Sequence, residues 1–370
     1  MNCAGMPAIQ PTTIQPKRIL VITLRYLGDT LLVTPLLSSL KRAYPAAKID
    51  VLLPQANLGM LEGNPDVESL IPLAGKPGLY RYFRLLCGLF QRYDLAISTQ
   101  AGDRPILCAI VAGSYSLGFV PEKKSKLNWK RRLLNGSLIF AADYSHAVLE
   151  NLRFCQHLQI KPFYSVTPPQ SSQPDQRCQA LGKYVVMHIQ PQWRYKQWHE
   201  QGWLQIADFL NSVGYRVVLT GSPAQSEQDR LKQLQEKMAI NTVNLAGSLS
   251  LANLAALIKD AALFVGPDTG ITHLAAATGV PTVAIFGPTD PRKWAPWPVY
   301  YADQAAPFSA VGIQRISNVW LVQGKSALGC VPCQQEGCER NRQSASACLE
   351  ELSAQTVIDV LKQIIEEKKA

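Results

Sequence analysis

Residues 262–289 read ALFVGPDTGITHLAAATGVPTVAIFGPT, and the order of events inside them decides the fold. ALFVG (262–266) is an apolar run of the length a strand takes in the middle of a parallel sheet. GPDTG follows as a turn, and a helix is predicted to start near Ile271 and to stop at Gly279, ahead of Pro281. TVAIFG (282–287) then reads as the next strand. A glycine-bearing turn leading from strand into helix leaves backbone N–H groups facing open space, with the positive end of the helix dipole behind them. Such a turn suits an anion.

Working outward, the alternation of strand and helix repeats along the chain. RILVITL (18–24), KIDVLLP (48–54), ESLIPL (68–73) and DLAIST (94–99) read as strands; RYLGD after the first is a turn, and TLLVTPLLSSLKRAY a helix with Leu and Val on one face. KPFYSVTPPQSSQPDQR (161–177), rich in Pro, Ser and Gln, reads as a linker. Beyond it YVVMHIQ (184–190), YRVVLTG (215–221) and TVNLAG (242–247) restart the pattern. The predicted organisation is a loose leader over 1–17, a Rossmann-like domain over 18–160, the linker, and a second Rossmann-like domain over 178–370. The second carries a cysteine-rich segment at 330–348 and a C-terminal helix. This is an α/β chain of two doubly wound halves, whose ligand crevice lies at the carboxyl ends of both sheets.

Composition bounds the chemistry. At 370 residues, 47% apolar and 17% charged, the chain has the make-up of a two-domain globular enzyme. The leader has no continuous apolar h-region. The longest uncharged runs, 105–121 and 269–289, carry interior Gly and Pro and read as strand–turn–helix passages, so no transmembrane helix is expected. Nine cysteines without a secretory signal point to a reducing compartment. The net charge of +10 is uneven: residues 1–180 hold 20 Lys and Arg against 11 Asp and Glu, and residues 181–370 hold 17 against 16. The absence of GxGxxG after the first strand weighs against a nicotinamide or flavin enzyme.

LRYLGDTLLVTPLLSSLKRAYP near the start, HIQPQWRYKQWHEQGW (188–203) and VGPDTGITHLAAATGVPTVAIFGPTDP near the end together resemble the glycosyltransferase family 9 heptosyltransferases of lipopolysaccharide core assembly. The likeness runs from Arg18 to about Pro291, and within the family it is nearest to the type III, core-branching enzymes. The resemblance implies a GT-B architecture facing a central cleft, with an N-terminal domain for a lipid-linked core oligosaccharide and a C-terminal domain for ADP-heptose. It also implies inversion at the anomeric carbon, no required cofactor, and a cytoplasmic enzyme peripheral on the inner membrane.

The turn at Asp268, Thr269 and Gly270 would then hold the donor diphosphate, with a hydroxyl from Thr269, close backbone approach at Gly270, and a helix N-terminus behind the departing ADP. Two readings of Asp268 are open: it caps the helix, or it accepts from sugar hydroxyls. His273 either faces the phosphates or is packed in the helix. Lys196, after the first strand of the second domain, pairs with the diphosphate or is a solvated lysine. Glu227, after TGSPAQS, accepts from ribose hydroxyls or is a first-turn helix acid. Inverting transfer needs one carboxylate to take the acceptor's proton, and Asp29 is the candidate base; its other reading is an N-cap, and Asp103 is the next candidate. The helix dipole is expected to lower the Asp29 pKa.

The basic stretch EKKSKLNWKRRLL (122–134) is either a solvated loop or a surface for acceptor phosphates and an anionic membrane. Lys123, Lys124, Lys130, Arg131 and Arg132 are its candidates, joined by Arg81 and Arg84. No nucleic-acid module is evident. Cys330, Cys333, Cys338 and Cys348 are spaced C-x2-C-x4-C-x9-C, and read as reduced thiols or as a structural zinc site. No DxD-type pair suggests a catalytic metal. Trp294 and Trp297 either wall the adenine or pack a domain surface. The rival functions are a nucleotide-sugar epimerase, a GT-B transferase using another nucleotide-sugar, and a non-catalytic sugar-nucleotide binding protein.

Overall fold

The structure, a computed structural model, describes residues 14–75, 78–122, 129–140, 145–172, 175, 177, 181–238 and 241–368. Its first sheet holds β1 (Arg18–Ile22), β2 (Lys48–Pro54), β3 (Ser69–Leu73), β4 (Tyr93–Ser98), β5 (Gly113–Val120) and β6 (Gly136–Ile139). All are parallel, in the order β3-β2-β1-β4-β5-β6. Around it lie α1 (Leu27–Leu31), α2 (Thr34–Ala43), α3 (Leu79–Leu89), α4 (Asp103–Ala112), α5 (Trp129–Leu133) and α6 (Ala147–His157). β1 shows why its residues form a central strand. Ile19 and Val21 pack into one apolar cluster and Leu20 and Ile22 into another, the period of two that a strand covered on both faces requires.

The second sheet holds β7 (Tyr184–His188), β8 (Arg216–Thr220), β9 (Thr242–Asn244), β10 (Leu263–Pro267), β11 (Thr282–Phe286), β12 (Ile313–Ile316) and β13 (Val319–Gln323), in the order β12-β13-β11-β10-β7-β8-β9. Only the β12–β13 pair at its edge is antiparallel. Its helices are α7 (Glu200–Ser212), α8 (Gln225–Glu236), α9 (Leu251–Asp260), α10 (Gly270–Thr278), α11 (Pro291–Trp294), α12 (Ala347–Glu350) and α13 (Ala354–Glu367). In each sheet the winding reverses beside the first strand, between β1 and β4 and between β7 and β10. Those switch points are where crevices open.

The two long uncharged runs run the other way from their sequence reading, helix first and strand second. Residues 105–121 pass from α4 straight into β5 with no loop, since α4 ends at Ala112 and β5 begins at Gly113. A Cβ on Gly113 would stand 2.7 Å from that of Ala96, so only glycine fits there. Residues 269–289 run through α10, stop at Gly279 with φ of 86°, and enter β11. The segment after α6 forms no strand or α-helix among its described residues and is tied to the first half. Phe163 N–H donates to Ser39 Oγ, Thr167 N–H to Thr34 Oγ1 and Gln170 N–H to the Glu62 carbonyl.

The halves meet where α1 packs on α10. A Cβ at Gly270 would stand 2.9 Å from the backbone nitrogen of Gly28, so the two turns touch main chain to main chain. A second tie is buried His146, whose Nε2–H donates to the Ala295 carbonyl at 2.8 Å while its Nδ1 accepts from Val148 N–H. Burial lowers its pKa to about 3, so the ring is neutral.

Candidate active site in the cleft between the sheets

A cleft of about 440 Å³, within the size range of small-molecule sites, opens at the contact of the two halves. Asp29, Lys196, Asp268, Thr269, Gly270 and His273 all line it. Glu227 does not. It follows β8, and its carboxylate accepts from the Ser222 backbone N–H at 2.9 Å and from the Ser222 hydroxyl.

The helix after β10 is capped by Thr269, whose Oγ1 accepts from Thr272 N–H, so Asp268 is not the cap. Thr272 in turn donates its hydroxyl to the Pro267 carbonyl at 2.5 Å, fixing the turn to the end of the strand. Thr269 and Gly270, at the start of the helix, line the cleft, and first-turn N–H groups have no partner within their own helix. Asp268 instead forms an ion pair with Lys196 at 2.7 Å, their side chains 6% and 16% exposed. The Lys196 ammonium also lies over the Trp193 and Tyr195 rings at 5.5 and 5.8 Å. Lys196 is therefore an oriented, mostly buried cation and not a solvated one. Burial lowers the His273 pKa to about 4, against an opposing pull from Asp268. Near neutral pH its ring offers hydrogen bonds and no charge.

Asp29 stands on the opposite wall. It is not an N-cap either: it is the third residue of α1, reaching back to the Tyr26 N–H at 3.3 Å. The expected lowering of its pKa is reversed. Crowding by the cleft walls desolvates the half-buried carboxyl and raises its pKa, and Arg25, the Tyr26 N–H and Lys196 only partly offset this. A helix of five residues has too small a dipole to prevail. The result is a carboxylate of increased basicity facing the cation and helix terminus.

The predicted acceptor residues are dispersed. Lys130 is engaged, with its ammonium 2.7 Å from Asp103 and donating to the Ala101 carbonyl. Asp103 itself lines a separate cavity and not the main cleft. Arg131 and Arg132 are exposed on α5, Arg81 and Arg84 on α3. Lys123 and Lys124 lie outside the described residues. Trp294 lines the cleft, whereas Trp297 is buried against His146 and Tyr301.

Sequence reasoning missed an aromatic and ionic wall. Tyr26 meets Trp193 edge-on with centroids 5.1 Å apart, Trp193 stacks on Tyr195, and the Arg342 guanidinium covers Trp193 at 5.0 Å while Glu336 holds it at 2.9 Å. Arg342 and Glu336 belong to the cysteine-rich segment, which thus borders the cleft. Its cysteines are free thiols, and among the described residues no group of three or more His, Cys, Asp or Glu is arranged for a metal. Cys348 is buried, which with its three neighbouring cysteines pushes its pKa up to about 12. The signal available was WRYK before the helix, whose aromatic residues flank the predicted lysine.

Two doubly wound sheets meeting across a cleft at their strand ends make this a GT-B protein. The sequence profile of glycosyltransferase family 9 (heptosyltransferase) matches residues 89–306. Lipopolysaccharide heptosyltransferase 3 of Escherichia coli (strain K12) is 30% identical over 290 residues, covering 74% of this chain and 83% of that protein. This chain belongs to glycosyltransferase family 9. Among solved structures, the family 9 glycosyl transferase of Veillonella parvula superposes with a TM-score of 0.74 at 19% identity, over 95% of this chain and 97% of that one. E. coli heptosyltransferase WaaC with ADP-2-deoxy-2-fluoro heptose superposes at 0.65 and 22%, over 94% and 99%.

Proposed function

We propose that this chain transfers a heptose from ADP-heptose to the inner core of lipopolysaccharide, inverting the anomeric carbon, with Asp29 as general base. The observation that carries the reading is the opposition, in one cleft, of a basic carboxylate and an anion-binding turn. The name of the E. coli relative and the donor analogue held by WaaC support the choice of acceptor and donor. In this reading residues 18–160 bind the acceptor and 178–370 the donor, at the cytoplasmic face of the inner membrane.

The donor diphosphate sits on the Thr269–Gly270 turn and draws Lys196 from Asp268. The freed Asp268 oxygen accepts from sugar hydroxyls. Asp29 takes the proton of the acceptor hydroxyl as that oxygen attacks the anomeric carbon on the face opposite the leaving ADP. The new C–O bond forms as the bond to the diphosphate oxygen breaks, and Lys196, the Thr269 hydroxyl and the α10 N-terminus balance the charge gained by ADP. Neutral His273 adds a hydrogen bond without competing for the pair. The test is incubation with ADP-heptose, with and without deacylated core acceptor, measuring ADP. Acceptor-dependent release is expected; release without acceptor, or none with any acceptor, refutes transfer.

A further inference from the structure

Helix α3 is apolar on two sides. Tyr82, Leu85, Leu86 and Leu89 rest on the cluster around Leu20, Leu52 and Ala96. The other side presents Leu79, Tyr80 and Phe83 at 92%, 72% and 65% exposure, followed by the capping Phe90 at 63%. Residues 79, 80 and 83 share one helix face by their spacing. Single exposed apolar residues need no explanation, but this concentration marks a partner surface.

Charge and composition say which partner. Arg81, Arg84 and Arg92 are exposed among these side chains, and no Asp or Glu occurs between Glu68 and Asp94. Aromatic and leucine side chains set among arginines, with no acid, match the boundary between lipid headgroups and acyl chains. Helix α4 packs against both α3 and α5, and α5 adds exposed Leu133, Arg131 and Arg132. A cavity of about 390 Å³ opens between the segment just before α3, at Leu73–Gly75, and the start of α4, at Gly102–Pro105. Arg25 lines both this cavity and the main cleft.

We propose that α3 is an in-plane membrane anchor. Leu79, Tyr80, Phe83 and Phe90 enter the headgroup boundary of an anionic bilayer, the arginines meet its phosphates, and the adjoining cavity leads the sugar head of a lipid-linked acceptor past Arg25 toward Asp29. The route to Asp29 rests on the transferase reading; the anchor does not.

The test compares the full chain with Leu79→Ser/Tyr80→Ser/Phe83→Ser, by sedimentation with phosphatidylethanolamine vesicles containing phosphatidylglycerol. The variant should lose about tenfold or more in partitioning, melt like the parent, and release ADP normally with water-soluble deacylated acceptor. Phe83→Trp should retain binding and Phe83→Asp lose it, which keeps the proposal testable if the triple variant folds poorly. Equal sedimentation of parent and variants overturns the anchor. So does a parent dimer that binds no vesicles and becomes monomeric in the triple variant. ADP release lost with every acceptor while vesicle binding persists would refute the transferase reading and leave the anchor standing.

Discussion

The two switch points differ in what they do with their paired turns. In the second sheet, the turns after β7 and β10 converge: one delivers Trp193, Tyr195 and Lys196, the other Asp268 to Gly270, and Lys196 and Asp268 join in an ion pair. In the first sheet they diverge. The turn after β1 brings Asp29 to the shared cleft, whereas the turn after β4 places Gly102, Asp103 and Arg104 on the separate cavity. Convergence gives a charge-balanced pocket that suits one compact anion. Divergence keeps Asp29 on the cleft and apart from Asp103 and Arg104, with a further cavity beside it, which suits a base serving a large acceptor.

The sharpest way to break this comparison is Asp29→Asn. The amide can still accept from the Tyr26 N–H, but it cannot take a proton, so transfer should slow by about 10²–10⁴, roughly 3–5 kcal/mol of barrier. The stability effect has the opposite sign. A carboxyl whose folded pKa is raised contributes stability below its unfolded pKa and loses it as pH rises through the folded pKa. At neutral pH the variant should therefore melt at or above the parent. Near-parental turnover with saturating acceptor would falsify the assignment.

Lys196→Ala tests the converging side. Loss of one charge-assisted contact to the diphosphate should cost about 1.5–3 kcal/mol in donor use. It also strands the Asp268 carboxylate, so the melting temperature should drop, by a stability loss of about 3 kcal/mol at most. Lys196→Ala/Asp268→Asn should recover the stability and not the donor use. If both recover together, the pair is structural and the cation has no part in binding ADP.

A smaller effect is expected in the pH profile of kcat/KM. Its acid limb should lie above the ordinary aspartate value of 3.8, because burial raises Asp29. His273 remains neutral down to about 4. A limb at or below 3.8 would remove the basis for a strengthened base. The smallest expected effect is none at all: if Lys196, Thr269 and the helix terminus hold the diphosphate as proposed, activity should persist in chelator. Loss of activity that magnesium restores, with folding unchanged, would contradict this.

Much of this was legible in the sequence because strand–turn–helix punctuation is local. The turn at Asp268 and the α10 stop at Gly279 follow from short-range patterns, whereas RYLGD, read as a turn, already enters a helix at Leu27 and carries Asp29 inside it. What stayed hidden depends on distance in the chain. The Lys196–Asp268 pair cannot be seen until β7 and β10 lie side by side. Arg342 and Glu336 reach the cleft through a segment of little periodicity whose cysteines drew attention to metals instead. β5 was obscured because Gly113 joins it to α4 with no turn residue between, and β13 because it is one short apolar run after irregular chain. The raised pKa of Asp29 was not legible either, because its desolvation comes from burial in the folded cleft, whereas the helix dipole is a local feature of its own segment.

The contact of Gly28 with Gly270 has a consequence for heredity. A Cβ at residue 270 would meet Gly28 main chain, and one at residue 28 would come within 3.3 Å of the His273 ring. Residue 270 has no room for a side chain against the main chain of the other half, and one at residue 28 would need the His273 ring to give way, although the two positions lie in different halves of the chain. A chimera joining this N-terminal half to the C-terminal half of a relative should work only where the donor of the second half brings a glycine to that turn. Recombination, more than point mutation, is where that constraint would be felt.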